Sequence, residues 1–197
     1  MKQMTGKEFK DLIKKDPSWC KNLKEPLEIT TYVDLKRSKI THLSPLLTFS
    51  GVDIQGYAAD FAYCKNLEIA TGTFHGFVQF SWSHIKEIKE IKVTKSEGMF
   101  RYAASFYGCK KLKVATGTYK GFVNFSESKI TTIRNLEINV EGSNKKEKAR
   151  FHNCPITYIP QKYRTKEFTF SEGVKEKSKL RDTTIKEIKS EANNIII

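Results

Sequence analysis

Proline is nearly missing from the body of this chain: five prolines occur in 197 residues, and none lies between Pro45 and Pro155. A proline-free stretch of that length suits hydrogen-bonded strands, in which each proline would delete a ladder donor. No CxxC pair occurs either. Cys20, Cys64, Cys109 and Cys154 stand 44, 45 and 45 residues apart, too wide for the close ligand pairs of a zinc cluster and too regular for a small disulfide-stapled domain. His42, His75, His84 and His152 include no pair at metal-ligand spacing, and Lys120 replaces His75 in the matching segment. No histidine keeps a fixed distance to a cysteine or serine, so no activated nucleophile is expected. These absences predict no metal, no cofactor and no catalytic residue. The first residues, Met1 to Lys15, hold no apolar run long enough for a secretion signal, and no segment is long and apolar enough for a membrane span. Acidic residues are in deficit, 22 against 35 Lys and Arg, leaving a formal charge of +13 that favours acidic or anionic partners.

What the chain has instead is a repeat. Cys64 to Ile69 reads CKNLEI and Cys109 to Val114 reads CKKLKV; ATGTFHGFVQFSWSHI follows the first and ATGTYKGFVNFSESKI the second. Two long matches at one offset define a unit of 45 residues. The unit divides again, because Phe61, Phe80, Phe106, Phe125, Phe151 and Phe170 follow one another at steps of 19, 26, 19, 26 and 19, and Leu35 extends the series backward by another 26. The expected fold is a β-rich repeat solenoid, leucine-rich-repeat-like, with about seven coils of alternating 19 and 26 residues. A right-handed parallel β-helix is the alternative.

One domain over residues 1–197 is expected. Residues 1–18 form a helical N-terminal cap, 19–174 the coils, and 175–197 a C-terminal cap or tail. Thr5 with Glu8 makes a capping-box pattern, and Phe9, Leu12 and Ile13 follow at helical spacing. Phe77 to Phe80, Phe122 to Phe125 and Leu67 to Ile69 read as strands, and Thr71-Gly-Thr and Thr116-Gly-Thr as corners between them. The polar runs Lys95 to Arg101 and Glu141 to Lys148 read as edge loops. The phenylalanine column is expected inside, with Cys64, Ser83, Cys109, Ser128 and Cys154 beside it as small buried groups. Unpaired, shielded thiols suit a reducing compartment, so the expected location is cytoplasmic.

Ser105-Phe106-Tyr-Gly-Cys109-Lys-Lys-Leu112 and Asp60-Phe61-Ala-Tyr-Cys64-Lys-Asn-Leu67 resemble the A-F-x-x-C-x-x-L segment of bacterial surface-antigen repeats, the BspA-like or Treponema-type leucine-rich class. The likeness covers roughly residues 20 to 175 as a rhythm and is sharpest in the two middle units. After the leucine that class places an isoleucine-proline pair, where this chain has Ala-Thr-Gly-Thr. The resemblance implies a right-handed solenoid that recognises proteins or glycans and brings no catalytic residues.

If each phenylalanine points inward, its neighbours point outward. That alternation nominates a partner-binding strand face of Gln79, Ser81, Trp82, Tyr107, Asn124, Ser126, Arg150 and His152, with Trp82 and Tyr107 as aromatic anchors. The basic surplus is uneven: residues 1–98 carry 15 basic and 12 acidic side chains, residues 99–197 carry 20 and 10. Lys145, Lys146, Lys148, Lys162, Arg164 and Lys166 are therefore the candidate polyanion-binding cluster. A non-catalytic scaffold for a protein partner is the first expectation, nucleic-acid or polyanion binding through the basic C-terminal half the second, and a β-helical carbohydrate-active enzyme the third.

Overall fold

The computed structural model describes residues 1–95, 102–140 and 147–172, together with Val174, Lys177, Ser178 and Asp182. In chain order the strands are β1 (Lys2–Met4), β2 (Leu27–Ile29), β3 (Val33–Asp34), β4 (Leu47–Phe49), β5 (Tyr57–Asp60), β6 (Ile69–Ala70), β7 (Thr73–Phe74) and β8 (Phe77–Gln79). There follow β9 (Glu87–Ile88), β10 (Lys92–Val93), β11 (Tyr102–Ser105), β12 (Val114–Lys120), β13 (Phe122–Asn124), β14 (Thr132–Asn139), β15 (Ala149–Phe151) and β16 (Phe168–Phe170). An α-helix, α1, spans Gly6–Lys15, and short 3-10 turns cover Trp19–Asn22 and Gln161–Tyr163.

The strands sort into three parallel sheets. One seven-stranded sheet runs β1-β2-β4-β7-β10-β12-β14, a second runs β16-β15-β13-β11-β8-β5-β3, and β6 pairs with β9 in a two-stranded sheet. This arrangement, a mostly parallel-sheet, α/β-like fold with one helix, corrects the expected leucine-rich-repeat-like solenoid and its β-helix alternative. The physical reason lies in the Thr-Gly-Thr stretches. Read as corners, they only join the strands on either side; in the structure Thr73–Phe74 and Val114–Lys120 are themselves ladder strands of the first sheet. Gly72 and Gly117 adopt left-handed φ values of 108° and 116° inside or beside these strands, so glycine here permits a local bend without ending the pairing. The strand read at Leu67 to Ile69 begins only at Ile69.

The helix forms where its caps dictate. The Thr5 hydroxyl accepts the Glu8 N–H (3.2 Å), and the Glu8 carboxylate accepts the Thr5 N–H (2.7 Å), so two otherwise orphaned donors are satisfied reciprocally. Phe9 and Ile13 bury one face of α1 while Lys14 and Lys15 sit in its last turn, where cations oppose the negative helix end. Ahead of it, β1 adds a strand to the first sheet, in register with β2. Most of residues 175–197, and residues 96–101 and 141–146, for which edge loops are expected, lie outside the described residues.

The core lies between the two large sheets and is built of aromatic stacks. Phe61, Phe80, Phe106, Phe125, Phe151 and Phe170 stack ring on ring, with centroids 5.1–5.2 Å apart and planes within 11°. Phe49 and Phe74 stack likewise from the first sheet (4.8 Å), and Phe74 meets Phe61 and Phe80 edge to face. Such geometry adds to the burial of six large rings on one column. Beside the stack, the Cys64, Cys109 and Cys154 thiols donate to the carbonyls of Leu35, Phe80 and Phe125 at 3.1–3.2 Å. Each also lies 3.3–3.6 Å from a serine of the preceding turn: Ser38, Ser83 or Ser128.

Candidate functional site

The outer face of the second sheet is organised by what the inward phenylalanines force on their neighbours. The residue before each one faces out, and the sheet register lines up Asp34, Asp60, Gln79, Ser105, Asn124, Arg150 and Thr169. Several of these cap the backbone two residues on: Asp34 accepts from Lys36 N–H (3.0 Å), Asp60 from Ala62 N–H (2.8 Å) and Asn124 from Ser126 N–H (3.0 Å). These are the local bonds that short polar side chains favour at turns. Two residues after each inward side chain the backbone is left-handed: Arg37, Tyr63, Trp82, Gly108, Glu127 and Asn153 have φ between 55° and 70°. Their amides pair from turn to turn, Tyr63 N–H to Ser81, Trp82 N–H to Tyr107 and Glu127 N–H to His152.

A second outward column was not legible in the pattern. Tyr57, Phe77, Tyr102 and Phe122 form a continuous row with Tyr32 at its end, centroids 4.7–6.4 Å apart. In Phe77-Val-Gln-Phe80 strict alternation sends Val78 and Phe80 inward and Phe77 outward. In Tyr57-Ala-Ala-Asp60 and Tyr102-Ala-Ala-Ser105 the register shifts by one. The extra residue, Ala58 or Ala103, is fully buried, and the bulge returns the tyrosine to the outer face beside its phenylalanine neighbour. The three tyrosines are half-buried; Phe77, at 9% exposure, lies between Tyr57 and Tyr102, and Phe122, at 2%, lies between Tyr102 and the Arg150 guanidinium. The one available signal is an aromatic three or four residues ahead of Leu35, Phe61, Phe80, Phe106 and Phe125.

The row is electrostatically graded. At its start Asp34 and Asp60 are register partners; burial, with Asp34 adding to it against Lys36, raises the Asp60 carboxyl, and burial followed by Asp60 raises the Tyr32 and Tyr57 phenols. At its far end the Arg150 guanidinium stands 5.5 Å over the Phe122 ring and is paired with Glu147 (2.7 Å), which raises its pKa.

The nominated partner-binding residues divide. Gln79, Trp82, Tyr107 and Asn124 are half-buried on this face, and Arg150 and His152 are exposed. Ser81 and Ser126 are not open surface, with 8% and 4% exposure. Their side chains are too short to clear the neighbouring strands, and they bond within the face: Ser81 Oγ to Ser105 Oγ (2.8 Å) and His152 N–H to Ser126 Oγ (3.2 Å). Trp82 lies over Gly108 and meets Tyr107 edge-on at 5.3 Å.

Two of the four described members of the nominated basic cluster are paired with acids. Lys148 pairs with Glu167 (3.0 Å), and Arg164, its side chain 9% exposed, pairs with Asp182 (2.6 Å) and stands over Tyr158. Lys162 sits over the Tyr163 ring at 4.7 Å, and Lys166 is exposed. Lys145 and Lys146 lie outside the described residues. Folding thus decides which of the basic side chains stand beside an acid, without changing the net charge. Among the described residues no group of three His, Cys, Asp or Glu is placed to hold a metal ion, and no helix is long and apolar enough to cross a membrane.

The fold and this face define a parallel-sheet protein with an aromatic and polar outer surface. No protein-family model, no curated protein and no solved structure matches this chain.

Proposed function

We propose that this chain is a non-catalytic scaffold that binds another protein through the outer face of its second sheet. The observation that carries the reading is the aromatic row from Tyr32 to Phe122. Tyrosine offers large contact area with few rotors to immobilise and a hydroxyl at the wet end, the combination enriched at interfaces. The flanking Gln79, Asn124 and His152 supply polar contacts around it. Strands held in a ladder keep these groups fixed, so little ordering is lost on binding. The A-F-x-x-C-x-x-L likeness to surface-antigen repeats, whose members recognise proteins or glycans, points the same way. Buried, unpaired thiols at Cys20, Cys64, Cys109 and Cys154 support a reducing, cytoplasmic setting. An acidic partner fits the +13 charge.

The test is capture of partners from lysate with and without nuclease, comparing wild type with Tyr32→Ser/Tyr102→Ser and with Lys162→Glu/Lys166→Glu. The scaffold reading expects nuclease-resistant partners that the tyrosine variant loses and the lysine variant keeps. Partners that vanish with nuclease and with the lysine changes would favour polyanion binding through the C-terminal half instead.

A further inference from the structure

A second surface, distinct from the tyrosine row, runs along the turns that leave the second sheet. Four residues after each inward side chain stand Lys39, Lys65, His84, Lys110 and Lys129, one from each of five successive sheet neighbours, and Lys111 adjoins them. At roughly 4.8 Å per strand the row is about 19 Å long. All five lysines are exposed. Of the acids nearby, Glu68 is paired with Lys86 (2.6 Å) and is also drawn on by Lys111, Glu127 is paired with Lys110 (3.3 Å), and Asp34 with Lys10 (3.4 Å). Lys39, Lys111 and Lys129 have no ion pair among the described residues, and the Lys65 ammonium donates to the Trp82 carbonyl (3.3 Å) rather than to a carboxylate. His84, half-buried within the row, is held below its ordinary pKa by burial first and then by Lys111 and Lys65, against the opposing pull of Glu68.

Aromatic rings alternate with these cations. Tyr63 lies under Arg37 (5.4 Å) and Lys36 (5.9 Å), and Trp82 under Lys110 (5.8 Å), with Tyr107 against its edge. We propose that this ridge binds a single-stranded nucleic acid, its phosphates on Lys39, Lys65, Lys111 and Lys129 and its bases against Tyr63 and Tyr107. A row of cations carried at strand spacing suits a flexible chain bearing regular negative charge, and rings set beside the row can stack only on unpaired bases. An acidic protein would need its carboxylates on one straight line, and a sulfated glycan would make no use of the rings as base platforms. The ridge is separate from the C-terminal basic cluster, in which Lys148 and Arg164 are paired with acids, and the proposal is independent of the protein-binding reading of the tyrosine row.

The experiment is fluorescence anisotropy of a labelled oligo-uridine strand on the full chain, with the matching duplex and heparin as competitors, at several salt concentrations. Lys65→Glu/Lys111→Glu/Lys129→Glu should weaken binding by about a hundredfold or more, and Lys162→Glu/Lys166→Glu by less than about twofold. Neutral changes at the same three lysines, Lys→Gln, preserve the fold more gently and should flatten the salt dependence by about two units of log K against log salt. Tyr63→Ala/Tyr107→Ala should cost about tenfold on the single strand and little on the duplex. Ridge variants that bind like wild type would overturn the proposal. So would equal affinity for duplex and strand with no effect of the tyrosine changes, which would leave only general attraction of polyanions such as heparin. Thermal melts of each variant separate lost binding from lost fold.

Discussion

Trp82 lies across Gly108: a Cβ built on Gly108 would stand 2.6 Å from two carbons of the indole. Gly108 is the glycine in a column whose other members, Tyr63, Trp82 and Glu127 among them, hold the same left-handed turn with full side chains. Steric room, as well as backbone conformation, therefore sets the residue here. Gly108→Ala should cost about 2 kcal/mol or more, from left-handed strain and overpacking together. In a Trp82→Ala background the overpacking part should disappear, giving a coupling of about 1 kcal/mol in a double-mutant cycle read by denaturant melts. Additive losses would mean the indole is not what excludes the side chain.

The stacked phenylalanines supply a second expectation. Phe80, Phe106 and Phe125 are each fully buried, so replacing any one with alanine should cost about 3–5 kcal/mol, through lost burial and the cavity left behind. Urea titrations measure it. Losses near zero for all three would show that the ring column is not the core.

Four buried thiols make a pH-dependent prediction. Burial raises Cys20 to about 12 and Cys109 to about 11, and pushes Cys64 and Cys154 up as well. A thiol whose folded pKa exceeds its ordinary value of 9.0 contributes stability below that pH, and the contribution is lost as pH rises from about 9 through about 11 to 12. Native protein at pH 8 should resist alkylation at all four cysteines, while unfolded protein takes up four labels by mass. Cys64 and Cys109 are separated by the Ser83 turn, two strand spacings or roughly 9–10 Å, beyond disulfide reach. A native disulfide between them would contradict the ladder.

The outward polar column tests whether its members hold the fold or only face solvent. Asn124 caps the Ser126 amide, so Asn124→Ala should cost about 1 kcal/mol, and Asn124→Asp, which keeps the acceptor, much less. Gln79→Ala should cost less than Asn124→Ala, because the Ser81 hydroxyl that bonds Gln79 keeps Ser105 as a partner. Thermal melts of the three variants give the ranking. An Asn124→Asp loss as large as that of alanine would remove the capping role.

The sequence alone was enough to show which residues recur and which of them must be shielded. Steps of 19 and 26 residues between phenylalanines, and of 45 between cysteines, carry that information because a side chain that stacks on its own kind must return at the same place in every repeat. Alternation around Phe80 and Phe125 likewise read the outward neighbours correctly at Gln79 and Asn124. Tertiary structure alone decided the rest. Whether Thr-Gly-Thr turns the chain or pairs as a strand depends on a neighbouring segment that supplies the ladder, and the partner of Val114–Lys120 is Thr132–Asn139, a pairing absent from local pattern. Tyr57 and Tyr102 reach the outer face through a one-residue bulge, which reverses alternation without changing composition. Which basic residues of the C-terminal half stand beside an acid was also settled by folding, which brings Glu167 to Lys148 and Asp182 to Arg164. The uncancelled lysines instead form a row because consecutive turns stack them, and a row is a property of register between strands, which no single stretch of sequence contains.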